Sequence, residues 1–465
     1  MEKISQQREG FAILVKRTLS WVTYSKRPLT TLELRHALAV EVGESDLDLE
    51  NLPDIELIFS VCAGLITVNK ESGDIRLVHF TTQEYFEWSG RTWFPHAHED
   101  ITATCVKYLS FNCFESGFLS TQEEFQDRLH SNALYEYASK NWGSHAREAL
   151  EQPRDLILRF LESQSYVSSS SQAVIPPRSY IPARAYYTQI SRQMTALHLT
   201  AYFGLKSLPH ILLEHGHDGN ATDCKGLTPV TYAAAEGHAS VVDVFSTAGV
   251  FTDPKDENRQ TPLFWASMKG YEAVVQQLLD MRNVDPDCAD RFGRTPLFIA
   301  VQRGHETIAR CLLKEAVNPD AKHENSGDRH DPMSNRTALS VAAEVGLASI
   351  VKLLLETGMV DTNSKDRFLQ TPLSHAAERW HESVVKILLE NGADPYLEAI
   401  TKDMDGRMPL TFAAENDHEK VVKLLLDRGV HPDSKSDTAD SSGRTPLLRA
   451  VSNGHEAVVR ILIQR

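Results

Sequence analysis

The stretch "GRTPLFIAVQRGHE", residues 293–306, is echoed 150 residues later by "GRTPLLRAVSNGHE", residues 443–456, with ten of fourteen positions identical. Working outward, the Thr-Pro-Leu signal recurs, with lapses, at Thr195, Thr228, Thr261, Thr295, Thr337, Thr371, Met408 and Thr445. The spacings are 33, 33, 34, 42, 34, 37 and 37 residues. A fixed period of this size means a repeat architecture, in which each unit is one small module that cannot bury its own apolar face.

Each part of the unit has a physical purpose. The Thr hydroxyl suits a helix N-cap, and the Pro suits the first turn, where no N–H is needed. Nine residues after the Thr stands a Gly or a substitute: Gly204, Gly237, Gly270, Gly304, Gly346, Trp380, Asp417, Gly454. A Gly there can take the left-handed conformation that ends a short helix. An apolar cluster follows, such as "IVKLLL" at 350–355 and "VVKILL" at 384–389, with the spacing of one helical face. Stacking the units buries one face of each against its neighbour.

This pattern resembles ankyrin repeats, from about residue 195 to the end. That type favours His after Thr-Pro-Leu, where it links adjacent turns. Only His198 keeps it; Thr231, Phe264, Phe298, Ser340, Ser374, Thr411 and Leu448 stand at the other copies. Thinner hydrogen bonding between repeats is therefore expected. The extra residues of the fourth unit, around 321–336, predict a longer finger.

The 465-residue chain is 42% hydrophobic and 24% charged, an ordinary composition, with net charge −15. Such a balance argues against nucleic-acid and anionic-membrane partners, which need clustered Lys and Arg. The six cysteines, Cys62, Cys105, Cys113, Cys224, Cys288 and Cys311, form no C-x-x-C pair and read as reduced thiols. With neither a signal peptide nor a run of about 18 apolar residues, the expectation is an intracellular, cytoplasmic protein, with the nucleus left open.

Before the repeats the wording changes. Residues 11–22, 27–40 and 52–64 read as helices, the second with a capping-box signal at Thr30 and Glu33. "LITVNKESGDIRLVHF", 65–80, reads as a hairpin around a Glu-Ser-Gly-Asp turn, and Thr81 with Glu84 opens another helix. Three helices and a hairpin make a winged helix, assigned to 1–94. Residues 95–163 read as a helical spacer. Residues 164–193, rich in Ser, Tyr and Pro, read as a linker with poor order, and 194–465 as the repeats. The fold class is thus mainly α: winged helix, helical spacer, then an ankyrin α-solenoid of about eight repeats.

"LSWVTYSKRPLTTLELRHAL", "SGDIRLVHFTTQEYF" and the spacer's Leu134-to-Arg147 wording resemble the C-terminal part of fungal NACHT-ankyrin proteins of the STAND class. Their winged helix is grouped with that of GPI inositol-deacylase. The resemblance implies an NTPase ahead of the winged helix, which this chain is expected to lack.

No catalytic signature survives inspection. There is no Gly-Lys pair, hence no P-loop, and neither G-x-S-x-G nor H-E-x-x-H occurs. The His-Glu pairs at His98, His305, His381 and His455 lack metal-ligand spacing and read as structural. "KDMDGR", 402–407, starts like a calcium loop, but Phe412 stands where the ligating Glu belongs. Residues 53–68 contain no basic residue, and 1–94 hold 10 Lys plus Arg against 14 Asp plus Glu, so DNA reading by the winged helix is disfavoured.

The expectation is a non-enzymatic interaction scaffold without cofactor or metal, binding a protein partner through the concave face and turn fingers. The alternative is the sensor or regulatory half of a STAND-type receptor, whose partner would be a NACHT-type NTPase. Exposed Arg and aromatic side chains supply much interface energy. They select Arg259, Arg291, Phe292, Arg294, Arg367, Phe368, Arg407 and Arg444 in the fingers. Met268, Lys269, Gln302, Arg303, Glu378 and Arg379 join them at first-helix ends. The plainer reading of each is turn consensus, since Arg before Thr-Pro is common in such turns.

Overall fold

The computed structural model describes residues 9–41, 43–149, 153–174, 193–323, 334–397, 399–400, 406–432 and 445–465. They cluster into two units, Met1–Phe251 and Thr252–Arg465.

The first unit begins with helices α1 (Glu9–Tyr24), α2 (Thr31–Ala39) and α3 (Ile55–Val61). Strands β1 (Ile66–Val68) and β2 (Ile75–Leu77) and helix α4 (Phe80–Trp93) follow. The expected capping box starts α2. Glu33 N–H donates to Thr30 Oγ1 at 3.2 Å, and Thr30 N–H donates to Glu33 Oε2 at 2.8 Å. The hairpin forms as read, with Ile66 opposite Leu77, and a single bridge from Thr30 to Asp74 widens it.

Five spacer helices come next: α5 (Ala97–Leu109), α6 (Gln122–Ser131), α7 (Tyr135–Glu148), α8 (Arg154–Glu162) and α9 (Gln164–Val174). Tyr108, Tyr135, Tyr137 and Trp142 are wholly buried among them. Large aromatic rings fill the space between these helices, and each of the three buried tyrosine hydroxyls finds a partner, while Trp142 Nε1 finds none among the described residues. Lys26 N–H donates to Tyr137 Oη at 3.0 Å. The Tyr137 hydroxyl also shares a hydrogen bond with His145 Nε2 at 2.9 Å, and His145 Nδ1 shares one with His98 Nδ1 at 2.9 Å. Burial pulls the His145 pKa down to about 3 and lowers that of His98. The Lys26 bond to Tyr137 ties the winged helix to the spacer, and the two histidines join α5 to α7 within it.

Helix α9 corrects the linker expectation for its first eleven residues. The serine run packs as a helix, with Ser169, Ser170 and Ser171 buried. Small side chains let α9 come close to α7, and hydrogen bonds replace the apolar area that Ser lacks. Tyr135 Oη donates to the Ser169 carbonyl at 2.6 Å, and Arg128 donates to Ser169 Oγ at 3.0 Å. Gln172 accepts from Leu119 N–H and donates to Leu119 O. Tertiary context here overrides the modest helix propensity of Ser. The rest of the expected linker, 175–192, lies outside the described residues.

The spacer also covers the first repeat. Its first helix, α10 (Ala196–Phe203), sets Phe203 edge-on to Trp142 at 5.0 Å, and Arg147 donates to Phe203 O at 3.3 Å. Gly143 makes this possible: a Cβ there would lie 2.1 Å from Phe203 Cγ. Packing therefore continues across the expected boundary at 194. Helices α11 (Ser207–Glu214), α12 (Pro229–Ala235) and α13 (Ala239–Thr247) complete the unit's two repeats.

The second unit holds six helix pairs. They are α14 (Pro262–Lys269) with α15 (Glu272–Leu279), α16 (Pro296–Gln302) with α17 (Glu306–Leu312), and α18 (Ala338–Val345) with α19 (Ala348–Glu356). Then come α20 (Pro372–Glu378) with α21 (Glu382–Glu390), α22 (Pro409–Glu415) with α23 (Glu419–Asp427), and α24 (Pro446–Asn453) with α25 (Glu456–Ile463). First helices pack on first helices and second on second, forming two rows. Thr261, Thr295, Thr337, Thr371 and Thr445 each accept the N3 backbone N–H at 3.2 Å, as the capping argument requires. Gly270 and Gly346 end their helices at φ 87° and 88°. Trp380 and Asp417 adopt the same left-handed turn at φ 64° and 61°, a conformation L-residues resist.

Candidate protein-binding face of the repeats

The fingers before each first helix are tied by a buried aspartate five residues ahead of the Thr. Asp256 Oδ1 accepts from the N–H groups of Asn258 and Gln260, at 2.9 and 2.8 Å. Asp290 does so from Phe292 and Arg294, both at 2.9 Å, and Asp366 from Phe368 and Gln370, at 2.8 and 2.9 Å. Asp223 repeats the knot in the first unit. The second oxygen then takes a side chain: Tyr232 on Asp223, Trp265 on Asp256, Arg294 on Asp290, His375 on Asp366. One short carboxylate thus closes the turn, and at Asp223, Asp256 and Asp366 it also moors the turn to the following helix. The sequence reading missed these residues, although the signal was there as Asp at a constant five residues before Thr.

Neighbouring fingers join through the backbone. Arg291 N–H donates to Asn258 O at 2.9 Å, and Arg367 N–H to Ser334 O at 3.1 Å. In the long fourth finger, His323 stands in the aspartate position. His323 N–H donates to Arg336 O at 2.9 Å, and Asn335 N–H donates back to His323 O at 2.7 Å. The inserted residues 324–333 lie outside the described residues, but their base is closed.

Hydrogen bonding between repeats is thin where expected and rebuilt elsewhere. His198 Nε2–H donates to Leu227 O at 3.0 Å, as that position should. A second histidine column, at the start of the second helices, reaches back to the carbonyl near the end of the previous repeat's first helix. His238 bonds Tyr202 O at 3.0 Å, His381 Glu344 O at 2.9 Å, His418 Glu378 O at 2.9 Å and His455 Glu415 O at 2.8 Å. The His-Glu pairs singled out in the sequence include His381 and His455, which do this work. On the far side of the fingers, Asp253, Asp287 and Asp320 each accept a backbone N–H from the next repeat. Burial raises all three carboxyl pKa values, that of Asp253 to about 6.

The structure divides the expected partner-binding residues into two groups. Arg294 is bound to Asp290 at 2.7 Å, Arg407 to Glu415 at 2.9 Å, and Arg379 to Glu344 at 3.3 Å. Glu378 accepts from Gln370 at 3.1 Å. These side chains are taken up by partners within the array, most inside their own repeat and Arg379 across to the repeat before it. In contrast, Arg259, Lys269, Arg291 and Arg303 are exposed, Arg367 is half-buried, and none pairs with a carboxylate among the described residues. Arg259 sits at φ 62°, in the place taken by Gly226 and Gly293 in their fingers and by Asn335 and Leu369 in two others. Phe292 is half-buried, with the Arg291 guanidinium 4.5 Å above its ring and His323 stacked parallel at 6.3 Å. Arg367 lies 5.9 Å from the Phe368 ring. Met268 and Gln302 are partly exposed, and Arg444 lies outside the described residues. Trp380, which the sequence reading took only as a Gly substitute, is 61% exposed and stacks parallel on His418 at 5.8 Å.

Among the described residues, no group of three His, Cys, Asp or Glu side chains is placed to hold a metal, and no helix is long and apolar enough to cross a membrane. The end of the 402–407 segment forms β4 (Gly406–Arg407), paired with β3 (Ala399–Ile400); residues 401–405 lie outside the described residues.

Comparison with known proteins agrees with this architecture. A family model described as ankyrin repeats matches residues 197–290, 246–325, 323–399 and 396–465. One described as the winged helix domain of GPI inositol-deacylase matches residues 1–93. Among curated proteins, the chain is 29% identical over 176 residues to azaphilone pigments biosynthesis cluster protein L of Monascus ruber, covering 33% of this chain and 36% of that one. It is 27% identical over 193 residues to human NF-kappa-B inhibitor zeta, covering 37% of this chain and 25% of that one. The matches thus span about a third and a quarter of those relatives' lengths. Among solved structures, the human ASB11 ankyrin repeat domain aligns with TM-score 0.42 at 24% identity, covering 51% of this chain and 98% of that one.

Proposed function

Because the chain belongs to the ankyrin-repeat family, a family of protein–protein interaction scaffolds, we propose that it binds its partner non-catalytically through the finger face. The reading rests on the division found there. Buried Asp, Thr and His side chains hold the fingers and helices in place, while unpaired cations and half-open aromatic rings face outward. Rigid display of a few such side chains is how repeat proteins achieve selective binding. A co-purification experiment tests it, comparing proteins retained by the chain and by its Phe292→Ala/Phe368→Ala variant. Loss of retained proteins in the variant is expected; an identical set, or none in either case, ends the reading.

A second reading makes the chain the regulatory half of a STAND-type receptor. It is supported by the winged-helix match followed by a spacer that packs onto the first repeat. Its partner would be a NACHT-type NTPase supplied by another chain. Co-expression with such an NTPase should give a complex that depends on residues 1–93, and its absence would discard this alternative.

A further inference from the structure

On the scaffold reading, which it deepens, we infer that repeats three and four of the finger face bind an acidic, aromatic-containing segment of the partner. The chain as a whole carries net charge −15, so a local excess of cations needs a reason. Arg259 and Arg291 occupy successive fingers, linked by the Arg291 N–H to Asn258 carbonyl bond. Lys269 and Arg303 take equivalent places at the ends of α14 and α16, and adjacent helices stack roughly 8–10 Å apart. All four are exposed, and no described carboxylate neutralises any of them within salt-bridge distance. Glu257 and Asp285 are exposed carboxylates on these same finger segments, and neither forms an ion pair with the four cations. Met268 and Phe292 lie among the cations, partly open, and give an aromatic side chain something to rest on. Arginine over an aromatic ring is already set for carboxylate contact, because stacking limits its freedom before binding.

The pattern ends sharply. The row holding Met268 and Gln302 continues as Glu344, Glu378 and Glu415, and the row holding Lys269 and Arg303 continues as Val345 and Arg379. Those glutamates are engaged by Arg336, Gln370 and Arg407. A long polyanion such as nucleic acid would run from open cations onto a row whose arginines are already paired with glutamates and offer it no further charge. A short acidic stretch that turns apolar would meet cations first, then exposed Val345 and Trp380. Charge complementarity therefore favours a peptide of limited acidity.

The test uses the full chain and a fluorescein-labelled glutamate–tyrosine copolymer peptide, read by anisotropy. Binding is expected, and it should weaken as salt rises from about 50 to about 200 mM, over which screening tightens. Lys269→Glu/Arg291→Glu/Arg303→Glu should weaken it by about tenfold or more, whereas Lys352→Glu/Lys386→Glu on the second helices should leave it unchanged. Circular dichroism must show both variants folded, as exposed positions allow. The inference fails if the peptide does not bind, if the triple reversal has no effect, or if a single-stranded oligonucleotide binds more tightly through the same residues. If co-purified proteins still depend on Phe292 and Phe368 but ignore the triple reversal, this inference falls and the scaffold reading stands. If nothing is retained by any version, the scaffold reading itself falls.

Discussion

Gly143→Ala is the sharpest perturbation the structure offers, because two opposing effects can be weighed. Gly143 lies inside α7, where exchanging Gly for Ala normally stabilises a helix by roughly 0.5–1 kcal/mol. Here the new Cβ would sit 2.1 Å from Phe203 Cγ, 2.4 Å from Cδ2 and 2.5 Å from Cβ. Three atoms spanning the root of a ring cannot be cleared by turning a flexible tip. Phe203 is itself only 3% exposed and held against Trp142. Overpacking usually costs about 1–3 kcal/mol, and a needed shift above ~1 Å puts this case at the upper end. Strain wins, and net destabilisation of about 2 kcal/mol is expected in urea unfolding, with faster amide exchange in α10. A double-mutant cycle sharpens the test. Phe203→Ala alone should cost about 3–5 kcal/mol, but combined with Gly143→Ala the added methyl enters vacated space, so the pair should couple by at least about 1 kcal/mol. A Gly143→Ala protein as stable as the parent, or additive effects in the double mutant, would refute the packing of spacer on repeat.

Other expectations follow the same logic. Asp366→Ala removes the acceptor for two backbone N–H groups and for His375, so a loss of about 2–4 kcal/mol in urea unfolding is expected; a change below about 1 kcal/mol would mean the finger knot is dispensable. Trp380→Gly relieves left-handed strain worth roughly 1 kcal/mol and loses an exposed ring stack, so thermal unfolding should show no loss of stability, and a clear drop would contradict the strain. Acidification should act oppositely on the two units. His145 stays neutral in the folded chain down to about pH 3, whereas the unfolded chain takes up a proton near 6.5, so this contribution, up to about 1.4 kcal/mol per pH unit, fades as pH falls below 6.5. Asp253, raised to about 6, binds its proton more readily when folded, so its contribution is present at low pH and lost as pH rises through 6. Segment-resolved hydrogen exchange at pH 7 and pH 5 should show weaker protection around α7 and stronger protection around residues 253–285; parallel changes would contradict this.

The repeats were legible because their rule is local. Thr, Pro, Leu and Gly stand at fixed offsets, and each does its work within one turn of chain. The capping box at Thr30 and the hairpin at 65–80 were readable for the same reason. The serine run was misread because what makes it helical is far away in sequence: Arg128, Tyr135 and Leu119 supply its hydrogen bonds. The finger face was half legible. Residue type makes Arg294 and Arg407 as plausible outward-facing anchors as Arg291, but Asp290 and Glu415, brought near by the fold, hold the first two. The aspartates carry no such outward signal, because a buried Asp that shapes a turn looks in sequence like any polar loop residue.

The closed base of the fourth finger has one more consequence. His323 and Arg336 shut the strand-like stem, so the register of the surrounding stack is settled before the ten residues between His323 and Ser334 are reached. Length and composition beyond that point are free to vary without retuning the scaffold. The position is a natural socket, where evolution or an engineer can exchange one peptide for another while the rest of the protein keeps its shape.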